Sequence, residues 1–376
     1  MITYLIDPSI CFLNHGSFGA TPTPVLDLQQ QLRREMEAEP IDFLLRRHPD
    51  RWKQCRNDVA RFLNADPAGT VFVHNATDGV NAIIQSLPWK EGDQILTTNH
   101  RYDAVRNAFQ HMVRRHGVEV VEAMVPFPLH DAQDIIDSVE AAITPKTRLI
   151  AVDHITSPTA LIYPVKALVE LAHSKGIPIL IDAAHSPGQV DVDIDALGAD
   201  FWVGNLHKWL CAPKGVAILN VAEGWRDQIH PTVISHGYGQ GLTEEFSWCG
   251  TDDPTAAYCA PLAIELHEKQ GGRSFRAAHH KLVQVGREVI STALGVQLPH
   301  RDLETLYGSM ATIPLPCSVD AAPDLFSAIR TEDKIEVPII VWDNRVWVRI
   351  SGFSAYNRPE QYEQLAVALR NRLNHA

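Results

Sequence analysis

Between residues 71 and 219 short apolar runs alternate with longer stretches in which apolar positions return every three or four residues. The short runs, 71–74, 95–98, 119–125, 149–153, 177–182, 201–203 and 216–219, are rich in Val, Ile and Leu and bounded by polar or Gly-containing turns, so they read as strands. The intervening segments, a helix ending at Leu87 and others over 104–116, 132–142 and 165–174, read as helices. Strands apolar on both sides, separated by helices, imply a mainly parallel sheet covered on both faces, with ligands at the carboxyl ends of the strands. Before this unit, 25–39 and 51–63 are helical in pattern, with Pro24 suited to a first turn. After it the texture is more helical, over 256–270 and 275–294. Short strands follow at 313–315, 339–341 and 346–350, and a closing helix at 359–374. The chain therefore divides into an arm (1–24), a large α/β domain (25–260) and a smaller C-terminal α+β domain (261–376).

Composition narrows the function. The chain is 45% hydrophobic and 21% charged, ordinary globular values, with a formal net charge of -12 and no basic strip. Nucleic acid is not expected as a partner. No apolar run approaches the roughly 20 residues needed to span a bilayer, so no membrane role is expected either. Six scattered cysteines without a CxxC read as reduced thiols, which points to the cytoplasm. The histidines form no HExxH and no Cys/His zinc spacing, so no metal is expected. His279-His280 reads as an exposed helical pair.

The chemistry concentrates at predicted strand ends. Asp182 closes the apolar run 177–182 and is followed by His185; a buried aspartate needs a partner, and a protonated ring nitrogen supplies one. Lys208 stands 26 residues later in a short loop with Asn205, His207 and Trp209; desolvation there would lower its pKa, as an imine-forming amine requires. Ala76 and Thr77 open a helix after a strand, which makes either a simple cap at Asn75 or Thr77, or a phosphate site at the helix N-terminus. Tyr102 is either a core tyrosine or a ring that stacks on a flat cofactor, with His100 as the alternative stacker. Thr251 lies in a Gly-Thr-Asp-Asp-Pro turn. Arg349, inside an apolar strand, is either half of an internal ion pair or a clamp for a carboxylate.

Taken in order, Asn75-Ala76-Thr77, Asp182-Ala183-Ala184-His185, His207-Lys208, the turn at Thr251 and Val348-Arg349-Ile350-Ser351 resemble the fold-type-I pyridoxal-phosphate enzymes of the class V aminotransferase group, over residues 10–370. The arm 13–19, the context of Tyr102 and the segment 153–159 resemble the isopenicillin-N-epimerase-like branch. The resemblance implies an aspartate-aminotransferase-like fold, pyridoxal 5'-phosphate as cofactor and an amino-acid substrate. It also implies a homodimer with shared sites. It casts Lys208 as the Schiff-base lysine and Asp182 as the partner of the pyridine nitrogen. Tyr102 would stack on the ring, with Ser157 and His185 near its phenolic oxygen. Ala76, Thr77, Asn205 and His207 would hold the phosphate, joined by Thr251 from a second subunit. Arg349 would clamp the substrate carboxylate, and Asn14, His15 and Gly16 would border the substrate. The implied reaction is epimerisation or racemisation at the α carbon, with carbon–sulfur lysis or transamination as alternatives. A cofactor-binding protein without turnover is the reading from a different class. Desulfurases of the group carry a nucleophilic cysteine before the arginine; Cys317 sits among apolar neighbours and does not fit that role.

Overall fold

The computed structural model describes residues 2–300 and 304–373. The strands among the described residues are β1 (Cys11–Phe12), β2 (Thr70–Val73), β3 (Gln94–Thr98), β4 (Glu119–Ala123), β5 (Thr147–Asp153), β6 (Ile179–Asp182), β7 (Phe201–Asn205), β8 (Ala217–Val221), β9 (Met310–Leu315), β10 (Ile335–Glu336), β11 (Ile339–Trp342) and β12 (Arg345–Ser351). The helices that precede or join the large-sheet strands are α1 (His15–Phe18), α2 (Thr23–Ala38), α3 (His48–Phe62), α4 (Ala76–Ser86), α5 (Asp103–His116), α6 (Gln133–Ala142), α7 (Val165–Ser174) and α8 (Ile194–Leu197). Those that follow are α9 (Leu242–Glu245), α10 (Thr255–Tyr258), α11 (Ala260–Lys269), α12 (Arg273–Leu294), α13 (Ala322–Thr331) and α14 (Pro359–Leu373). The expected last residue of the closing helix, Asn374, lies outside the described residues.

Seven strands form one sheet in the order β2-β8-β7-β6-β5-β3-β4. The run from β7 to β4 is parallel, while β8 pairs antiparallel with both β7 and β2. Two reversals bring β2 back to the direction of β7, so the ends of β2, β3, β5, β6 and β7 all meet one edge. β6 is buried at every position because helices cover both faces. α5 shows how: Val105, Ala108, Phe109 and Met112 bury one stripe, and Gly117, at φ 67°, closes the helix by bonding Val113. α4 presses closer still. A β carbon on Gly79 would lie 2.5 Å from Cγ2 of Val203 in β7.

A second, antiparallel sheet, β11-β12-β9, carries Arg349 opposite Thr312. α12 and α14 pack together beside it. The segment expected as one helix over 256–270 is two, α10 and α11, broken at Cys259 because Pro261 cannot continue the first. His279 is not exposed. It is buried on α12, where its Nδ1 accepts the backbone N–H of Ser354 at 3.0 Å. All six cysteines are free thiols. The arm is tied to the far end of the chain, with β1 pairing in parallel with β10.

Candidate active site

Three strands end on polar residues at the shared edge: β5 on Asp153, β6 on Asp182 and β7 on Asn205. Asp153 and Asp182 are paired in register on neighbouring strands, and both are buried. Burial and the Asp182 carboxylate hold the Asp153 carboxyl well above the usual range. Burial also raises Asp182, opposed by the Ala184 N–H, which donates to Oδ1 at 3.0 Å, and by the Lys208 cation. Lys208 extends its Nζ to 3.3 Å from Nε2 of His185. Burial and the Arg349 guanidinium push the Lys208 amine down to about 8, against the pull of Asp182 and Asp153. The same burial, with the cations of Lys208 and Arg349, drives His185 well below the ordinary imidazole value, so the ring is neutral. The amine and the carboxylate therefore belong to one electrostatic cluster.

Asn205 accepts the N–H of Ala76 on its Oδ1 at 2.9 Å and so ties the end of β7 to the mouth of α4. Asn75 caps the same helix by accepting the Asp78 N–H at 3.0 Å. The cap of the two readings is therefore made by Asn75. Among the described residues the Thr77 N–H pairs with no acceptor at that mouth. His207 donates from Nδ1 to the Val216 carbonyl at 3.1 Å, which leaves its other ring nitrogen free.

Arg349 is buried. Its Nη1 donates to the Ser157 carbonyl at 2.6 Å and to the Ser157 hydroxyl at 3.2 Å, and Nη2 donates to the Ser17 hydroxyl at 3.1 Å. Among the described residues no carboxylate pairs with it, so the internal ion pair is not formed. Arg349, Ser157 and Tyr102 line an open cavity of about 730 Å³ together with Arg101, Arg106 and Trp342. Tyr102 is 47% exposed at the N-cap of α5, and is not a core residue. His100 cannot stack on a ligand. It is buried, bonded to Thr159 and the Val125 carbonyl, and packed on Trp342. Thr251 is exposed in its turn, which Asp252 fastens to His74 at 2.7 Å.

The arm departs from expectation. Asn14, His15 and Gly16 do not border the cavity. Asn14 donates to Glu336, the Gly16 N–H donates to Ser351, and His15 is fully buried among aromatic rings. The Asn14 amide and both His15 ring nitrogens are thus engaged inside the protein. The arm residue that touches Arg349 is Ser17, which the sequence reading missed. Asp153 was missed as well. Its signal was present: two consecutive strands of the pattern both end on aspartate.

The class-V aminotransferase model of the protein families matches residues 18–337. A putative L-cysteine desulfhydrase 1 of Oryza sativa subsp. japonica is 34% identical over 96% of this chain and 83% of its own length. An isopenicillin N epimerase of Streptomyces clavuligerus is 32% identical over 97% of this chain and 95% of its own. Among solved structures, the apo cysteine desulfurase from Thermococcus onnurineus NA1 superposes with a TM-score of 0.80 at 22% identity, over 98% of this chain and 95% of that one. That last likeness establishes the fold.

Proposed function

Because the chain belongs to the class-V aminotransferase family, we propose that it is a pyridoxal-phosphate enzyme acting at the α carbon of an amino acid or amino-acid-derived substrate, with isopenicillin-N-epimerase-like chemistry. The observation that carries this reading is the Lys208 amine and the Asp182 carboxylate held in one buried cluster, each altering the other's proton affinity. The residues fit the cofactor. Nδ1 of His185 and Nε of Arg349 are buried without a partner among the described residues, as expected of groups that meet a ligand. A raised carboxyl pair beside them suits a protonated ring nitrogen.

In this reading Lys208 holds the cofactor covalently and Asp182 keeps a proton on the ring nitrogen. Tyr102 stacks on the ring, and Ser157 and His185 approach its phenolic oxygen. The α4 mouth at Ala76 and Thr77, with Asn205 and His207, receives the phosphate, and Thr251 reaches it from a second copy of the chain. When bound, the cofactor supplies an electron sink for the charge left as the α proton departs. Lys208 removes that proton; an amine near pKa 8 is partly neutral at physiological pH and can act as a base. Arg349 fixes the substrate carboxylate with the fork that now holds Ser157 and Ser17. Residues 1–24 serve as the arm, 25–260 as the cofactor domain and 261–376 as the smaller domain of a cytoplasmic homodimer.

A second reading, carbon–sulfur lysis, is favoured by the rice desulfhydrase relative. It shares the first proton removal and differs in what leaves afterwards. Persulfide transfer is disfavoured, because burial raises the Cys317 thiol, and the thiolate is the nucleophile. The test is borohydride trapping of added pyridoxal phosphate, followed by peptide mass analysis. A phosphopyridoxyl mass on the Lys208 peptide supports the reading, and a protein that takes up none overturns it. Incubation with L-amino acids in deuterated water then separates the branches: α-deuterated, racemised product for the epimerase, pyruvate and sulfide from cysteine for the lyase.

A further inference from the structure

We propose that His15 is a positioning residue that sets the Lys208 amine by locking the Lys208 peptide group. This rests on the reading of Lys208 as the reactive amine, and on nothing else in the proposed function.

The Nε2 of His15 lies 3.1 Å from the carbonyl oxygen of Lys208. A carbonyl only accepts, so Nε2 carries the ring proton and Nδ1 carries a lone pair. That lone pair accepts the Tyr356 hydroxyl, which contacts it directly. A directed relay results: Tyr356 O–H to Nδ1, and Nε2–H to the Lys208 carbonyl. The same carbonyl also accepts the N–H of Cys211 at 3.2 Å. Both of its lone pairs are engaged, and the peptide plane after Lys208 cannot turn without breaking one bond.

The ring itself is immobile. It is fully buried, stacked on Phe353 with centroids 4.0 Å apart and planes 10° apart, and packed on Trp209 at 4.7 Å. Burial pushes its pKa down to about 3, so the neutral tautomer persists across physiological pH. The arm backbone presses on the same peptide. Gly19 has φ 68°, and a β carbon there would run into the carbonyl oxygens of His207 and Lys208. Segments near residues 15, 208 and 356 thus converge on one carbonyl. With that carbonyl fixed, the backbone of Lys208 is held and the Cα–Cβ bond starts the side chain in one direction, from which Nζ lies 3.3 Å from Nε2 of His185.

The test compares wild type with His15→Leu and His15→Gln. The glutamine amide nitrogen can occupy the place of Nε2 and donate to Lys208; leucine cannot. Each protein is loaded with pyridoxal phosphate. Three quantities are read: the rate of borohydride-trappable attachment at Lys208, the visible circular dichroism of the bound cofactor, and the thermal midpoint. His15→Leu should attach the cofactor slower by on the order of tenfold, with altered visible dichroism, and His15→Gln should recover most of both. A folded His15→Leu that matches wild type in rate and dichroism overturns the inference, as does a folded His15→Gln no better than His15→Leu. If His15→Leu does not fold, Tyr356→Phe takes its place. It removes only the donor to Nδ1; slowed attachment with changed dichroism upholds the relay, and wild-type values refute it. A wild type that never attaches the cofactor at Lys208 refutes the proposed function itself, and this inference with it. Normal wild-type attachment with unaffected variants refutes this inference alone.

Discussion

Arg349→Gln and Asp182→Asn should move the proton affinity of Lys208 in opposite directions. The Lys208 amine is held at about 8 instead of 10.5. At pH 8 half of it is neutral, whereas an ordinary lysine would be neutral in roughly one molecule in 300. Burial is the largest cause, the Arg349 guanidinium the next, and Asp182 and Asp153 oppose both. Removing the guanidinium leaves burial in place, so the midpoint should rise by on the order of one unit and stay below the ordinary value. Removing the Asp182 charge should lower the midpoint. The effect will be partly masked, because the Asp182 charge is one cause of the raised Asp153 carboxyl; once that charge is gone, Asp153 ionises more readily and contributes more negative charge. Asp153→Asn with Asp182→Asn should expose the full shift. Competitive acetylation of the cofactor-free protein across pH, read on the Lys208 peptide, gives the midpoint directly. Arg349→Lys keeps the charge while losing the fork to Ser157 and Ser17, and should leave the midpoint near that of wild type. If Arg349→Gln lowers the midpoint, or if both neutralising variants move it the same way, the charge balance described here does not govern the amine.

Three further outcomes can be measured. Gly79→Ala would set a β carbon 2.5 Å from Val203, and should cost about 1–3 kcal/mol in urea unfolding even after the gain in helix propensity; unchanged stability would contradict the packing of α4. Asn205→Ala leaves the buried Ala76 N–H without its acceptor and should cost about 1–3 kcal/mol, whereas Asn205→Asp, which keeps the oxygen, should recover most of it. His74 is raised to about 9, chiefly by its hydrogen bonds to Asp78 and Asp252. Its folded value lies above its unfolded one, so its contribution is complete below about 6.5 and is lost as pH rises through about 9. Its side chain is 60% exposed, so the effect is small; the difference in melting temperature between wild type and His74→Ala should shrink over that window.

The large sheet was readable because strands buried on both faces must be continuously apolar, and 149–153 and 177–182 were. Their first residues were misjudged by up to two positions, since pairing with neighbours sets where a strand begins. The break before Pro261 was overridden in the reading by apolar periodicity on both sides of it. Lys208, Asp182 and Arg349 were legible because a charge inside an apolar context demands a reason. The burial of His15 was not legible for the opposite cause: Gly16 and Gly19 mark its surroundings as loop, and the rings that enclose it come from positions 209, 353 and 356. Ser17 and Asp153 escaped because a serine in an arm and an acid ending a strand are both commonplace until neighbouring segments are brought beside them.

The joining of the arm to Tyr356 has a bearing on how the protein is born. A ribosome releases Lys208 148 residues before it releases Tyr356. During that interval the sheet can assemble, yet the histidine that would steady the lysine has no hydroxyl to orient it. A nascent chain therefore carries His15 and Lys208 without the Tyr356 hydroxyl until residue 356 has been made.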